Sequence, residues 1–285
     1  PLTIPTYIAA YAYYDALELL NPLFNWSRSH IGIKETMMLE NSAIYLIVII
    51  LFSFVLYPYI YLSVRASLLI SGNRLVESAA TLGLPSKKVF SRLILPFIKP
   101  AIIAGLSLVI METLNDYAAV EYFGISTLTI GIFRSWFGMY DMASALKLSS
   151  YLILFTFFIL VIEKAYRGKE RYNNITGSQN SFRKIQIDNK RRLFVYIFCF
   201  IPFIFGFLIP IVRLTTWLWY SNFNFADMNI LKISLNTILI SFLSSLSIVC
   251  IALTINFIKN YFNNRVLKKM SQLAILGYSI PGAII

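Results

Sequence analysis

The apolar residues of this chain lie in long blocks that are separated by polar connectors. A helix needs roughly 20 apolar residues to cross the ~30 Å hydrocarbon core of a membrane. No block alternates as a barrel strand would, and a segment in lipid must satisfy its own backbone hydrogen bonds. The pattern therefore predicts an all-α transmembrane bundle. Seven blocks occur, at 1–20, 42–64, 98–118, 142–162, 193–212, 233–258 and 271–285.

The composition is typical of a membrane protein and includes few of the histidine and cysteine residues that many enzymes use in catalysis. Hydrophobic residues make up 58% of the chain and charged residues 13%, against about 25% charged residues in soluble domains. His30 is the one histidine, and Cys199 and Cys250 lie in apolar blocks, where packing is expected rather than a disulfide or a metal site. The chain starts without methionine and stops inside a block. We expect its first and last spans to be partial and the chain to be a fragment.

The distribution of positive charge predicts the orientation in the membrane. The connectors 65–92, 164–192 and 259–269 carry five, nine and four of the 25 lysine and arginine residues. In a bundle of seven spans all three connectors fall on one side, which the positive-inside rule identifies as the cytoplasm. The net charge of +12 is therefore a topology signal rather than a sign of nucleic-acid binding. The polar connector 164–192 is typical of a flexible linker.

The connector between the second and third blocks predicts a helical hairpin. We expect a short helix that ends at Gly83, because glycine readily takes the left-handed conformation of a helix C-terminus. Pro85 suits the first turn of a second short helix, which Pro96 should end where the chain turns into the next span. A compact hairpin of this kind on the cytoplasmic face is suited to docking onto a partner.

Ala79 lies two residues after Glu77, Gly83 lies six residues after it, and Leu95-Pro96 come near the end of the segment. With this spacing the hairpin resembles the EAA loop of the permeases of binding-protein-dependent ABC importers. Ser78 stands where that loop usually has alanine, and Leu93 where isoleucine is common. The resemblance implies that the loop couples the spans to a separate ATP-binding subunit. The implied coupling residues are Glu77, Ala79, Ala80, Gly83, Leu95 and Pro96.

The segments 111–117, 122–124 and 129–138 resemble the fused iron(III) importer permeases. That resemblance implies a first permease half at 1–163 with its EAA loop at 74–97, a cytoplasmic linker at 164–192, and the start of a second half at 193–285. A faint repeat of Ile-Pro near both ends agrees with two halves. The implied setting is the bacterial inner membrane, and the implied partners are an ATP-binding subunit in two copies and a periplasmic or lipid-anchored substrate-binding protein.

No phosphate-binding loop occurs, since Gly168-Lys169 lacks the upstream glycine of that motif. We therefore expect this chain to bind no cofactor, with ATP and Mg²⁺ on the partner subunit.

Thiamine, polyamines and phosphonates remain alternative substrates. A membrane scaffold would not need the hairpin, and an intramembrane enzyme would need paired acids on one helix face.

One pair of acids meets that description. Glu112 and Asp116 are four residues apart and are expected to share a helix face near the outer end of a span. Fe³⁺ prefers oxygen ligands, so a substrate path is one interpretation. The other is that both acids bond to helix ends or contact the binding protein. The aromatic stretch 122–140 is predicted to be interfacial, with Trp136 and Tyr140 at headgroup level. The candidate path residues are Glu112, Asp116, Tyr117 and Glu121.

Overall fold

The computed structural model of the chain describes residues 1–81, 83–167, 188–220 and 229–261. Within these ranges every regular element is helical, which confirms the all-α prediction. The elements are α1 (Thr6–Glu18), α2 (Asn21–His30), α3 (Ile33–Thr81), α4 (Ser86–Val89), α5 (Leu95–Asn115), α6 (Ala118–Tyr122), α7 (Leu128–Phe133), α8 (Met142–Arg167), α9 (Asn189–Phe203), α10 (Ile209–Tyr220) and α11 (Ile230–Tyr261). Turns of π-helix occupy Phe90–Ile94, Arg134–Gly138 and Ile204–Leu208.

Five helical stretches of the described chain are long and apolar enough to cross a membrane, and they match the five middle blocks of the sequence. They are Ile33–Leu69, Lys87–Asn115, Met142–Tyr166, Arg191–Tyr220 and Ile230–Ile258. The block 1–20 forms α1, whose 13 residues reach only ~20 Å. The block 271–285, most of the connector 164–192 and most of the connector 259–269 lie outside the described residues.

Two of the π-helical turns precede a proline that remains inside a helix. The backbone N–H of Leu95 donates to the carbonyl of Phe90, and Pro96 follows. The N–H of Ile209 donates in the same way to Ile204, and Pro210 follows. In a regular α-helix a proline ring would meet the carbonyl four residues earlier, and the wider π turn relieves that crowding. The prediction that Pro96 ends a helix is therefore wrong, since the helical run continues from Ser86 to Asn115.

The chain divides into two compact units after Leu214. The core of the first unit packs α1 against α3 through small and branched side chains. Ala9 and Ala10 of α1 are fully buried, as is Leu51 of α3. The second unit contains α11, whose side chains are mostly exposed. Exposed apolar side chains on a membrane span face lipid or another membrane helix, so this exposure is expected.

Glycine allows a very close approach between helices in the first unit. A Cβ atom on Gly105 of α5 would lie 2.6 Å from the Cα of Ile60 on α3. Gly206 approaches the carbonyl oxygen of Phe54 similarly. Next to it, the hydroxyl of Tyr13 donates a 2.6 Å hydrogen bond to the carbonyl of Phe205. That bond pairs a backbone group within a π turn, where regular helical bonding is interrupted.

Candidate functional site

The cytoplasmic loop 74–97 includes the end of α3. Gly83 has φ +66°, and the N–H of Leu84 donates to the carbonyl of Ala79 at 3.2 Å. This is the six-to-one bond of a Schellman helix end, which favours glycine in the left-handed position. The predicted role of Gly83 in ending the helix is confirmed. The side chain of Ala79 is buried, whereas Gly83 and Leu84 are exposed.

The first helix of the loop is not the separate short helix that the sequence pattern predicts. It is the last part of α3, which runs 49 residues from Ile33 to Thr81. The segment 65–81 contains no proline, and Gly72 inside it costs only ~1 kcal/mol relative to alanine. Glu77 and Ala80 lie in the final turns of α3. The span and the first part of the loop 74–97 are therefore one continuous helix.

The second helix of the loop begins just after Pro85. The carbonyl of Pro85 accepts hydrogen bonds from the N–H groups of Lys88 at 2.8 Å and Val89 at 3.1 Å. Pro85 thus precedes the first turn instead of lying within it. Leu95 and Pro96 follow on the same helical run and are exposed. The loop therefore presents an exposed glycine-containing turn between two helices that continue directly into spans.

The four candidate path residues lie at and beyond the opposite end of α5. The hydroxyl of Tyr59 on α3 donates to Oε1 of Glu112 at 3.4 Å. Asp116 takes the C-cap position of α5: its N–H donates to the carbonyl of Glu112 at 3.1 Å, and its φ and ψ are −73° and 113°. The two acids are therefore one helical turn apart, as their spacing in the sequence predicts. Oδ1 of Asp116 accepts the N–H of Ala119 at 2.9 Å, so this acid bonds to the start of α6.

Tyr117 and Glu121 form a hydrogen-bonded pair one turn apart on the outer side. The phenol donates to the carboxylate, and this bond raises the pKa of Tyr117 to about 12. The physical reason is that losing the phenolic proton would place two negative groups in contact. The ring of Tyr117 also packs against Phe133 with centroids 4.1 Å apart.

This pair lines an outer pocket of about 450 Å³ between α6 and the aromatic segment that follows it. Phe133 and Phe137 stack along one wall, with centroids 5.9 Å apart. Arg134 and Ser126 add polar groups. The described residues contain no cluster of three or more His, Cys, Asp or Glu side chains that could hold a metal ion. The pocket can therefore offer oxygen contacts to a passing solute, but no closed metal site.

Two contributors to the outer site were not identified as candidates from the sequence. Tyr59 is 53 positions from Glu112, and no local pattern indicates which face of α3 meets the end of α5. Arg134 lies in the stretch 122–140, which the sequence predicts to be interfacial without indicating a role for this arginine. Trp136 is 40% exposed and Tyr140 is 89% exposed. Their placement at headgroup level remains a prediction.

Five apolar helical stretches long enough to span a membrane, two of them joined by the Gly83 turn, define a multi-pass membrane protein. The family described as "Binding-protein-dependent transport system inner membrane component" matches residues 1–167, and the chain belongs to this family. Its members are transport subunits of the inner membrane, not enzymes. The chain is accordingly a multi-pass inner-membrane protein, whose basic connectors face the cytoplasm.

One curated protein is similar to most of this chain. The chain is 25% identical over 235 residues to "Fe(3+)-transport system permease protein FbpB 2" of Haemophilus influenzae (strain ATCC 51907 / DSM 11121 / KW20 / Rd). The alignment covers 80% of this chain and 46% of the relative, so the chain spans less than half the length of that protein. No solved structure matches the chain significantly.

Proposed function

We propose that this chain forms part of the transmembrane path of an importer for iron(III), driven by a separate ATP-binding subunit. The observation that carries the proposal is the exposed turn at Gly83, which lies on the basic face between two helices that continue into spans. Membership in a binding-protein-dependent family supports partners of two kinds, an ATP-binding subunit and a substrate-binding protein.

In this proposal the loop 74–97 docks into the ATP-binding subunit, which supplies ATP and Mg²⁺. The buried Ala79 anchors the helix end, and the exposed Gly83 leaves room for a close partner surface. Leu95 and Pro96 continue the contact on the second helix, and Glu77 and Ala80 belong to the same segment. Two permease halves, at 1–163 and from 193 onward, would each engage one copy of the ATP-binding subunit.

The choice of iron(III) rests on the resemblance to iron permeases and on the oxygen-rich outer end of α5. Glu112, Tyr117 and Glu121 offer carboxylate and phenol oxygens, which suit a hard trivalent cation. Asp116 contributes mainly by holding the start of α6 through its bond to Ala119. Since the described residues form no closed metal site, iron would make transient contacts there after release from the binding protein.

The coupling role is tested by co-purification of the ATP-binding subunit with Gly83→Asp. Gly124→Asp is the matched control, because both glycines have a left-handed φ and open space where a Cβ would stand, while Gly124 lies on the outer side. We expect Gly83→Asp to lose the subunit and Gly124→Asp to keep it. Equal retention by both variants would contradict the docking role of the loop.

The substrate is tested by ATP-dependent uptake of ⁵⁵Fe³⁺ into liposomes that contain the full-length chain, the ATP-binding subunit and a loaded binding protein. Glu121→Gln should lower uptake without loss of ATPase association. If wild-type protein associates with the ATPase but transports thiamine, a polyamine or a phosphonate instead of iron, the permease role stands and iron(III) is excluded.

A further inference from the structure

A groove of about 590 Å³ opens between α3 and α5. It begins at the level of the close crossing between Gly105 and Ile60 and extends toward the cytoplasm. Tyr57, Tyr61, Val64 and Leu68 line it at the three- and four-residue intervals of one helix face. Ile102 lines it from α5. The lining is apolar along almost its whole length, so the groove suits a hydrocarbon chain.

The cytoplasmic end of the groove carries positive charge. Residues 41–64 contain no charged side chain, and Arg65 is the first charge after them. Arg65 is also the one charged residue that lines the groove. Lys99 lies three residues before Ile102, and therefore on the same face of α5, one turn closer to the cytoplasm. Both cations are exposed, and no ion pair between described side chains involves either of them.

The position of Arg65 matches the inner headgroup layer. The 24 uncharged residues before it span ~36 Å, slightly more than the hydrocarbon core. Anionic headgroups are found in the cytoplasmic leaflet, and they attract nearby basic residues. A free phosphate would satisfy the cations but leave the apolar groove empty. An uncharged apolar chain would fill the groove but leave the cations without a counter-charge.

We propose that this groove binds an anionic phospholipid of the inner leaflet. Its phosphate lies between Arg65 and Lys99, and one acyl chain lies along the face of α3 from Val64 to Tyr57. The lipid fills the gap between the two helices that carry the cytoplasmic loop. Lipid composition would thereby influence how firmly those helices are held together. The proposal does not depend on which solute the protein transports.

The test uses the full-length chain with its ATP-binding subunit in phosphatidylcholine nanodiscs. The probe is a minor fraction of phosphatidylglycerol that carries a photoreactive group on one acyl chain, and crosslinked peptides are mapped by mass spectrometry. We expect labelling within 57–64. Because one basic residue near an anionic surface contributes about 1 kcal/mol, Arg65→Gln should reduce labelling about fivefold. Adding Lys99→Gln should reduce it further, and Arg65→Lys should retain it.

Arg92→Gln is the matched control, since Arg92 is an exposed cation on the cytoplasmic side that does not line the groove. It should label as wild type does. Val64→Trp should block labelling by filling the groove, and Val64→Leu should allow it. The proposal is overturned if phosphatidylcholine with the same photoreactive chain labels 57–64 equally well, or if Arg92→Gln is as damaging as Arg65→Gln. Labelling by the lipid probe on another protein chain, with none on 57–64, would also overturn the proposal.

Discussion

The guanidinium of Arg213 forms an ion pair with the carboxylate of Asp15, joining α10 to α1 across 198 positions of sequence. The Asp15 side chain is 17% exposed and that of Arg213 is 42% exposed. A charge near membrane depth is costly unless it meets a partner or water. The pair therefore explains how two mostly apolar helices each tolerate a charged residue at their contact.

Breaking this pair should destabilise the protein. Removing one member of a well-buried pair costs ~3–5 kcal/mol, and the exposure of Arg213 reduces the expected cost of Asp15→Asn to about 1–2 kcal/mol. Thermal unfolding in detergent measures the loss. The swapped double variant Asp15→Arg with Arg213→Asp should recover part of it. No recovery in the swap, together with no loss in either single variant, would show that the pair contributes nothing.

The close crossing of α3 and α5 should not tolerate a side chain at Gly105. A Cβ there would meet the backbone of Ile60, which cannot move without separating the helices. Gly105→Ala should cost about 1–3 kcal/mol, as overpacking of a core does. Gly131→Ala is the matched control, because its Cβ would meet only the flexible end of Leu148 at 3.3 Å. Melting temperatures should fall for the first variant and stay level or rise for the second.

Asp141 should make stability depend on acidity at the start of α8. Its carboxylate accepts hydrogen bonds from the Ser144 hydroxyl at 2.5 Å and the Ser144 N–H at 3.1 Å. These bonds hold the pKa of Asp141 below its usual value. A lowered pKa in the folded state means that this stabilisation is present above the unfolded pKa, about 3.9, and disappears as the pH falls through the folded pKa.

The variant Asp141→Asn isolates that effect, because asparagine also caps helices well but cannot ionise. We expect wild type to melt at a higher temperature than the variant at pH 7, with the difference shrinking toward pH 3. A difference that stays constant over this range would mean that the charge of Asp141 plays no part.

The Tyr117–Glu121 pair should be visible in a tyrosine titration. The absorbance difference between wild type and Tyr117→Phe, followed after a rapid pH jump, should titrate near pH 12. Glu121→Gln should move that transition toward the ordinary tyrosine value of about 10. Because the folded pKa is raised, the stabilisation is complete below about pH 10 and disappears as the pH approaches 12. A wild-type transition near 10 would mean that the hydrogen bond does not form.

The spans were predictable because a helix needs roughly 20 consecutive apolar residues to cross a membrane. The apolar blocks of the sequence show such runs directly. The left-handed Gly83 was predictable for a local reason, since few other residues suit that backbone. The error at Pro96 has a local cause. Whether a helix continues through a proline depends on small changes in hydrogen-bond register that residue type alone does not reveal.

Contacts between distant segments could not be predicted from the sequence, for a different reason. The bonds from Tyr59 to Glu112 and from Tyr13 to Phe205 depend on how the helices rotate against one another. Nearly all faces of a membrane helix are apolar, so hydrophobic periodicity does not indicate which face packs inward. The outer pocket therefore emerged only from the three-dimensional arrangement.

The unbroken length of α3 has a mechanical consequence. Its 49 residues form a rod of ~73 Å, and the crossing at Ile60 divides that rod into arms of ~40 Å on the outer side and ~31 Å on the cytoplasmic side. A stiff helix pivoting at this crossing would turn a sideways push of a few ångströms at Thr81 into a slightly larger movement of Ile33 in the opposite direction. Pro58 lies two residues from the crossing, and a helix bends most easily at a proline. Part of such a push would therefore be absorbed by bending at Pro58, and less of it would reach Ile33.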